Sequence, residues 1–196
     1  MSKNKVGIAF IFIGVLIITT ALFLRIKGNI REQSLIQEFN QQLKEIDSKI
    51  SDNKSVNKNR NNTNLDSIIG ILSIPKIDCK VPVCEGIDKD TLKYSVGHFK
   101  DTPLPGSKGN CCIAGHRSYT YNEFFNRLDE LKEGDEIYIQ NKKGKYKYIV
   151  YKKQVVEPTE VSVLNNTKDG EITLVTCTPI RVASHRLIIK GKLISC

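Results

Sequence analysis

A cysteine closing a β-like run and an arginine nine residues further on are the pair in this chain best placed to do chemistry. Cys177 follows Ile172-Thr-Leu-Val-Thr176 and precedes Thr178-Pro179, where the chain must leave a sheet. A side chain at a strand end facing a loop is rigidly placed and still reachable. Arg186 opens the next apolar run, so a hairpin-like return would bring its guanidinium beside the sulfur. Only the thiolate is a competent nucleophile, and a neighbouring cation lowers a thiol's pKa from about 8.5. Such a site also needs a proton carrier, for which histidine is the usual choice. The chain has three histidines: His98 within Gly97-His-Phe99, His116 within Ala114-Gly-His-Arg117, and His185 beside Arg186. On spacing alone any of the three could be the partner.

The other cysteines, at 79, 84, 111, 112 and 196, are less suggestive. No Cys-x-x-Cys occurs and no Cys/His cluster has structural-zinc spacing, so neither a metal nor any other cofactor is expected. Adjacent Cys111-Cys112 makes a regular disulfide framework awkward. Cys79, Cys84, Cys111 and Cys112 read instead as buried small apolar residues or loop thiols.

The elements that would position this chemistry begin near Ile68, where short Ile-, Val- and Tyr-rich runs alternate with Gly, Pro and Asn. Runs at 68–74, 81–83, 111–114, 136–140, 145–154, 171–176 and 186–194 predict seven or eight strands, enough to close a barrel or sandwich. Asn141-Lys-Lys-Gly144 predicts a tight hairpin turn. Asp88 to Tyr94 reads as a short helix, as does Tyr121 to Leu131 with Phe124, Phe125, Leu128 and Leu131 on one face.

Upstream, Val6 to Leu24 carries no charged side chain. Nineteen residues at about 1.5 Å each approach the length of a bilayer core. The run is too long for a signal-peptide core and lacks a small-x-small exit, so residues 1–28 are expected to be an uncleaved membrane anchor. Lys3 and Lys5 before it, with Arg25, Lys27 and Arg31 after it, give no usable orientation bias. Leu35, Ile36, Phe39, Leu43, Ile46 and Ile50 recur at spacings of mostly three and four, an amphipathic helix. Ser51 to Asn64 is dominated by Asn, Lys and Ser, with Val56 its one apolar residue, and reads as a spacer. The expected organisation is an anchor over 1–28, a helix and linker over 29–65, and a folded domain over 66–196.

The net charge of +9 is spread as +4 over residues 1–66 and +5 over 67–196. No basic arm with interleaved aromatics exists, and the one dense run, Lys142 to Lys153, lies in the expected hairpin. Nucleic acid is therefore not an expected partner. An anionic wall or membrane surface suits the charge better.

Thr173-Leu-Val-Thr-Cys177 resembles the Thr-Leu-x-Thr-Cys motif of the sortases, cysteine transpeptidases of Gram-positive bacterial envelopes. Arg186 stands where their arginine does, and Asn110-Cys-Cys-Ile-Ala-Gly-His116 looks like their histidine strand. Gly97-His-Phe99, followed by Pro103-Leu-Pro-Gly106, is similar to a loop found in several sortase classes. The likeness covers residues 68–196 and implies a mostly β fold, an eight-stranded closed sortase barrel with two or so short helices. It assigns Cys177, His116 and Arg186 as catalytic, makes Thr176 a substrate contact, and leaves His98 and His185 structural or peripheral. Arg181 and Arg117 are the rival guanidiniums, Arg117 because it adjoins His116.

The resemblance further implies cleavage of a C-terminal LPxTG-type sorting signal between Thr and Gly. The acyl group would pass through a Cys177 thioester to an amine of a peptidoglycan precursor, anchoring surface proteins to the wall. It implies a single-pass protein with its N-terminus in the cytoplasm and its catalytic domain outside. Cys177-Thr-Pro179 and a short return to the arginine look most like class D. A pilin-polymerising sortase is the alternative, weakened because the chain has no Trp for the aromatic lid of that class. A hydrolytic cysteine protease, a non-catalytic membrane-tethered barrel and a thiol-redox protein are the remaining readings.

Overall fold

The computed structural model describes residues 3–52, 68–117 and 124–195. Eight strands close into one barrel in the order β1-β2-β3-β4-β7-β8-β6-β5, with β5 pairing back onto β1. The strands are β1 (Ile68–Ile74), β2 (Cys79–Glu85), β3 (Val96–His98), β4 (Gly109–Ala114), β5 (Glu136–Asn141), β6 (Gly144–Val156), β7 (Gly170–Thr178) and β8 (His185–Ser195). Six of the eight pairings are antiparallel; β2/β3 and β4/β7 are parallel. The closed eight-stranded barrel is the one the sequence implied.

Alternation fills its interior. Ile137 and Ile139 of β5 are fully buried, with Tyr146, Tyr148 and Val150 of β6, while their neighbours in sequence face outward. This period-two pattern is what a strand with one wet face requires. The β5–β6 hairpin forms where expected: the Asn141 side-chain oxygen accepts from the Lys143 and Gly144 amides at 2.7 and 3.1 Å. In contrast, β4 is covered on both faces. Cys111 and Ile113 belong to the core, while Asn110 on the other face donates to the carbonyls of Val163 and Asn165 and accepts from Thr173. A fully buried amide is tolerated because each polar atom finds a partner.

Three local expectations need correction. Gly97-His-Phe99 was expected as a loop, yet Val96–His98 forms β3; three residues are too few to show a period. A Cβ at Gly97 would lie 2.2 Å from the Gly86 carbonyl oxygen, so only glycine allows β3 so close. Next, β7 runs on to Thr178, which puts Cys177 inside the ladder rather than past its end. Finally, Tyr121 to Leu131 is not an α-helix in its described part: residues 124–127 turn and Leu128–Glu130 is a single 3₁₀ turn. Its apolar face was still correctly read, since Phe124, Phe125, Leu128 and Leu131 all enter the core. The helix expected near Asp88 is α2 (Lys89–Leu92), with Asp88 accepting from the Asp90 and Thr91 amides as its N-cap.

Upstream, one helix, α1 (Lys3–Asp52), spans both the expected anchor and the expected amphipathic segment. Leu35, Ile36 and Phe39 form a second buried cluster with Ile68 and Ile71 of β1 and Cys84 of β2, so this part of the amphipathic stripe packs on the outside of the barrel, while the side chains of Ile46 and Ile50 lie outside the described residues. Most of the spacer, residues 53–64, lies outside the described residues. Among the described residues no helix is long and apolar enough to cross a membrane. The fold alone therefore does not establish the anchor.

Candidate active site

Strand β7 is flanked by β4 on one edge and β8 on the other. In the β7/β8 ladder Cys177 pairs with Arg186, and Thr178 with His185. Residues directly opposite in an antiparallel pair project to the same face with about 4.5–5.5 Å between their Cα atoms. The sulfur and the guanidinium stem are therefore neighbours on the outer face of the sheet. On the other edge β4 runs parallel to β7 with Ala114 opposite Val175. Two residues further along both chains stand His116 and Cys177. The order across the sheet is histidine, cysteine, arginine.

Local contacts hold this level. The Gly115 amide donates to the Val175 carbonyl at 3.0 Å, the last ladder bond before His116. Thr176 is buried, and its hydroxyl donates to the Gly115 carbonyl at 2.8 Å. That hydroxyl faces the histidine strand rather than solvent. Gly115 also lies against Phe125: a Cβ there would meet the ring at 2.6 Å, so no larger residue fits before His116. The Phe125 amide donates to the His116 carbonyl. The His116 side chain is exposed and has no hydrogen-bond partner among the described residues.

Cys177 differs from the other described cysteines in its exposure. Cys79, Cys84, Cys111 and Cys112 are all buried, whereas Cys177 is half-buried. Burial pushes the Cys79 thiol up to about 12 and Cys112 up to about 11, and also raises Cys111, because a thiolate is poorly solvated there. Those groups stay protonated and inert at neutral pH. Of the two readings the sequence left, buried small apolar residues or loop thiols, the structure shows the first: all four are buried in β2 and β4.

Among the three candidate arginines, Arg186 is half-buried and its Nη1 donates to the carbonyls of Ala183 and His185 at 3.1 and 3.0 Å. Its Nε and Nη2 have no partner among the described residues, so the fork is held by one nitrogen and open on the others. Arg181 is exposed in the β7–β8 loop at a φ of 69°. The Arg117 side chain is withdrawn from solvent and engaged on three nitrogens: Nε to the Asn126 carbonyl, Nη1 to the Thr178 hydroxyl, and Nη2 to the Asp129 carboxylate at 2.7 Å. Of the other histidines, His98 is buried between the Glu85 carboxylate, the Thr102 hydroxyl and the Pro103 carbonyl. His185 pairs with Glu157 and Ser184.

The barrel thus sets a half-exposed thiol between an arginine on the next strand and a histidine just past the end of the strand on the other side. The sequence matches the sortase domain over residues 72–194. The chain belongs to the sortase family. Sortase A of Listeria monocytogenes is 29% identical over 208 residues, spanning 98% of this chain and 92% of that protein. Sortase D of Bacillus subtilis is 35% identical over 127 residues, covering 63% of this chain and 62% of that one. Among solved structures, a Clostridium perfringens sortase D5 transpeptidase superposes with a TM-score of 0.69 at 32% identity, over 84% of this chain and 99% of that one. This sortase is accordingly an enzyme, a cysteine transpeptidase.

Proposed function

We propose that Cys177, His116 and Arg186 are the catalytic residues of this sortase, and that it is a class D enzyme acting on Leu-Pro-x-Thr-Gly-type sorting signals. The observation that carries the reading is the Cys177–Arg186 pairing, with His116 reached by equal counts along parallel strands on the other edge. The Cys177 sulfur attacks the threonine carbonyl, the Thr–Gly C–N bond breaks, and His116 as imidazolium gives its proton to the departing glycine amine. An amine of a peptidoglycan precursor then attacks the thioester; His116 takes its proton and the sulfur leaves as thiolate. Splitting amide exchange through a thioester replaces one hard step with two easier ones. The open nitrogens of Arg186 donate to the carbonyl oxygen as it gains charge. Class D is favoured by the two class D relatives above and by Cys177-Thr-Pro179 with its short return to Arg186.

The first part of α1 serves as a membrane anchor, with the barrel outside the cell and residues 66–196 as the catalytic domain. Twelve large apolar side chains from Ile8 to Leu24 are 47–70% exposed around the whole helix, a surface that water does not favour. Thr19 and Thr20 turn their hydroxyls onto the Leu16 carbonyl, satisfying the polar atoms of that segment internally. The test is mass spectrometry of a sorting-signal peptide incubated with the enzyme and candidate amines. Cleavage between Thr and Gly with an amide product is expected. A free carboxylate alone, in excess amine, would make the protein a hydrolase.

A further inference from the structure

His116 lies just beyond the last ladder bond of β4, so something other than the sheet must hold it level with Cys177. Two side-chain bonds cross the gap. Thr176, before Cys177, donates to Gly115, before His116. Arg117, after His116, donates to the hydroxyl of Thr178, after Cys177, at 2.9 Å. Each candidate residue is thus bracketed by neighbours that are bonded to the neighbours of the other. The second bond is the more costly to build. The Arg117 side chain is 5% exposed, and a buried guanidinium is tolerated only when its donors are met. The Asn126 carbonyl, the Thr178 hydroxyl and the Asp129 carboxylate meet them in the planar arrangement that lysine cannot reproduce. With Nε and Nη2 fixed on residues 126 and 129, the remaining nitrogen, Nη1, reaches β7.

We propose that Arg117 is a positioning residue: through its bond to Thr178 it fixes the backbone of His116 relative to Cys177, so that imidazole and sulfur meet in reacting geometry. The inference rests on His116 and Cys177 being the catalytic pair. Arg117 spends its nitrogens on Asn126, Thr178 and Asp129 and acts through the segment it belongs to. Its effect falls on proton transfer rather than on peptide affinity, and misplacing a reacting group by about 1 Å costs on the order of a hundredfold.

The test uses the full chain with Thr178→Val, which keeps shape and removes the acceptor, beside Arg117→Lys and the double variant. Expected for Thr178→Val, which leaves Arg117 Nη1 without its acceptor, is a lowered Tm with the chain still folded at the assay temperature, KM for the sorting-signal peptide within about twofold, and kcat lower by about ten- to a hundredfold. The pH profile of Cys177 alkylation by iodoacetamide should shift in the same variant. The double variant should be no slower than the worse single, since both remove one bond. A folded Thr178→Val with parental kcat and an unmoved alkylation profile overturns the proposal, whatever becomes of Arg117→Lys. Losses that multiply in the double variant overturn it as well. His116→Gln run in parallel separates the two levels: if that variant keeps its activity, the catalytic pair itself is wrong, whereas an inactive His116→Gln beside a normal Thr178→Val condemns only the positioning role.

Discussion

Cys177 and Arg186 are direct cross-strand partners in the β7–β8 ladder. Because β-sheet register is fixed by the burial of Thr176 and Leu187 on the inner face, neither strand can slip by one residue without turning its own member of the pair into the core. The outer face then presents the sulfur and the charge together. If Arg186 meets the developing oxyanion through its open nitrogens, Arg186→Lys should lose rate despite keeping its charge, since a lysine offers no fixed fork. Removing one such donor costs about a hundred- to thousandfold in kcat. Arg181→Lys, exposed in the loop, should be nearly silent. Steady-state kinetics on variants shown folded by circular dichroism decide it. A loss well under a hundredfold for Arg186→Lys would leave the arginine a purely structural role.

Cys177→Ala should abolish both peptide cleavage and trapping of the thioester by mass spectrometry. Cys79→Ala, Cys84→Ala and Cys196→Ala should keep most of the activity. Any turnover retained by Cys177→Ala beyond background removes it as nucleophile.

Thiol burial gives an independent reading of the same assignment. At pH 8 the thiols of Cys79 and Cys112, pushed up to about 12 and 11, and the raised Cys111 remain protonated and shielded. In a Cys196→Ser background, iodoacetamide should therefore label the native protein once, at Cys177. Urea should then expose the remaining four. Labelling of Cys111 or Cys112 at a comparable rate in the native state would contradict the packing of β4.

Much of this site is legible in the sequence, and the reasons are specific. Thr173-Leu-Val-Thr-Cys177 and the Asn141–Gly144 turn are local signals, so β7 and the β5–β6 hairpin follow from a few adjacent residues. What escapes is what depends on residues distant in sequence. The Arg117–Thr178 bond joins positions 61 apart, and nothing near either residue announces it. Thr176 reads as a substrate contact from its place beside Cys177, but its neighbour across the parallel ladder takes its hydroxyl. The 3–4 spacing of Phe124, Phe125, Leu128 and Leu131 describes burial correctly and helix wrongly, because a 3₁₀ turn can bury the same side chains. The continuity of α1 is hidden by the change in composition after Leu24, a change of environment rather than of backbone.

Alkaline pH should weaken the barrel partly through Tyr151. Burial, then its hydrogen bond to Glu171, raises the Tyr151 hydroxyl to about 12, above its ordinary value near 10. The folded state therefore holds this proton more tightly than the unfolded chain does. Its contribution is complete below about pH 10 and is lost as pH rises toward 12. Urea midpoints between pH 9 and 11.5 should fall less steeply for Tyr151→Phe than for the parent. Equal slopes would mean that the buried thiols, which titrate in the same direction, account for the whole effect.

The packing of α1 on the barrel should matter only while the two are joined. Leu35, Ile36 and Phe39 are all buried against β1 and β2. At about 1.5–3 kcal/mol for each buried side chain, the contact is worth roughly 5–9 kcal/mol as an upper bound. Bringing two separate molecules together costs an estimated 4–15 kcal/mol. Within one chain that cost is largely absent, so the helix stays docked. Once a protease cuts the Asn- and Lys-rich segment between 51 and 64, little or nothing remains to hold the pieces together. In wall-permeabilised cells, external protease should then release a folded fragment beginning near Asp66 that still cleaves sorting-signal peptide. Phe39→Ala removes a fully buried ring and about 3–5 kcal/mol of this contact. The barrel core is a separate cluster, so that variant should undock α1 and speed hydrogen exchange in β1 while leaving peptide cleavage intact. A fragment that stays with the cells after complete cleavage would show that α1 binds the barrel more tightly than three side chains allow. Cleavage only after lysis would place the barrel inside the cell.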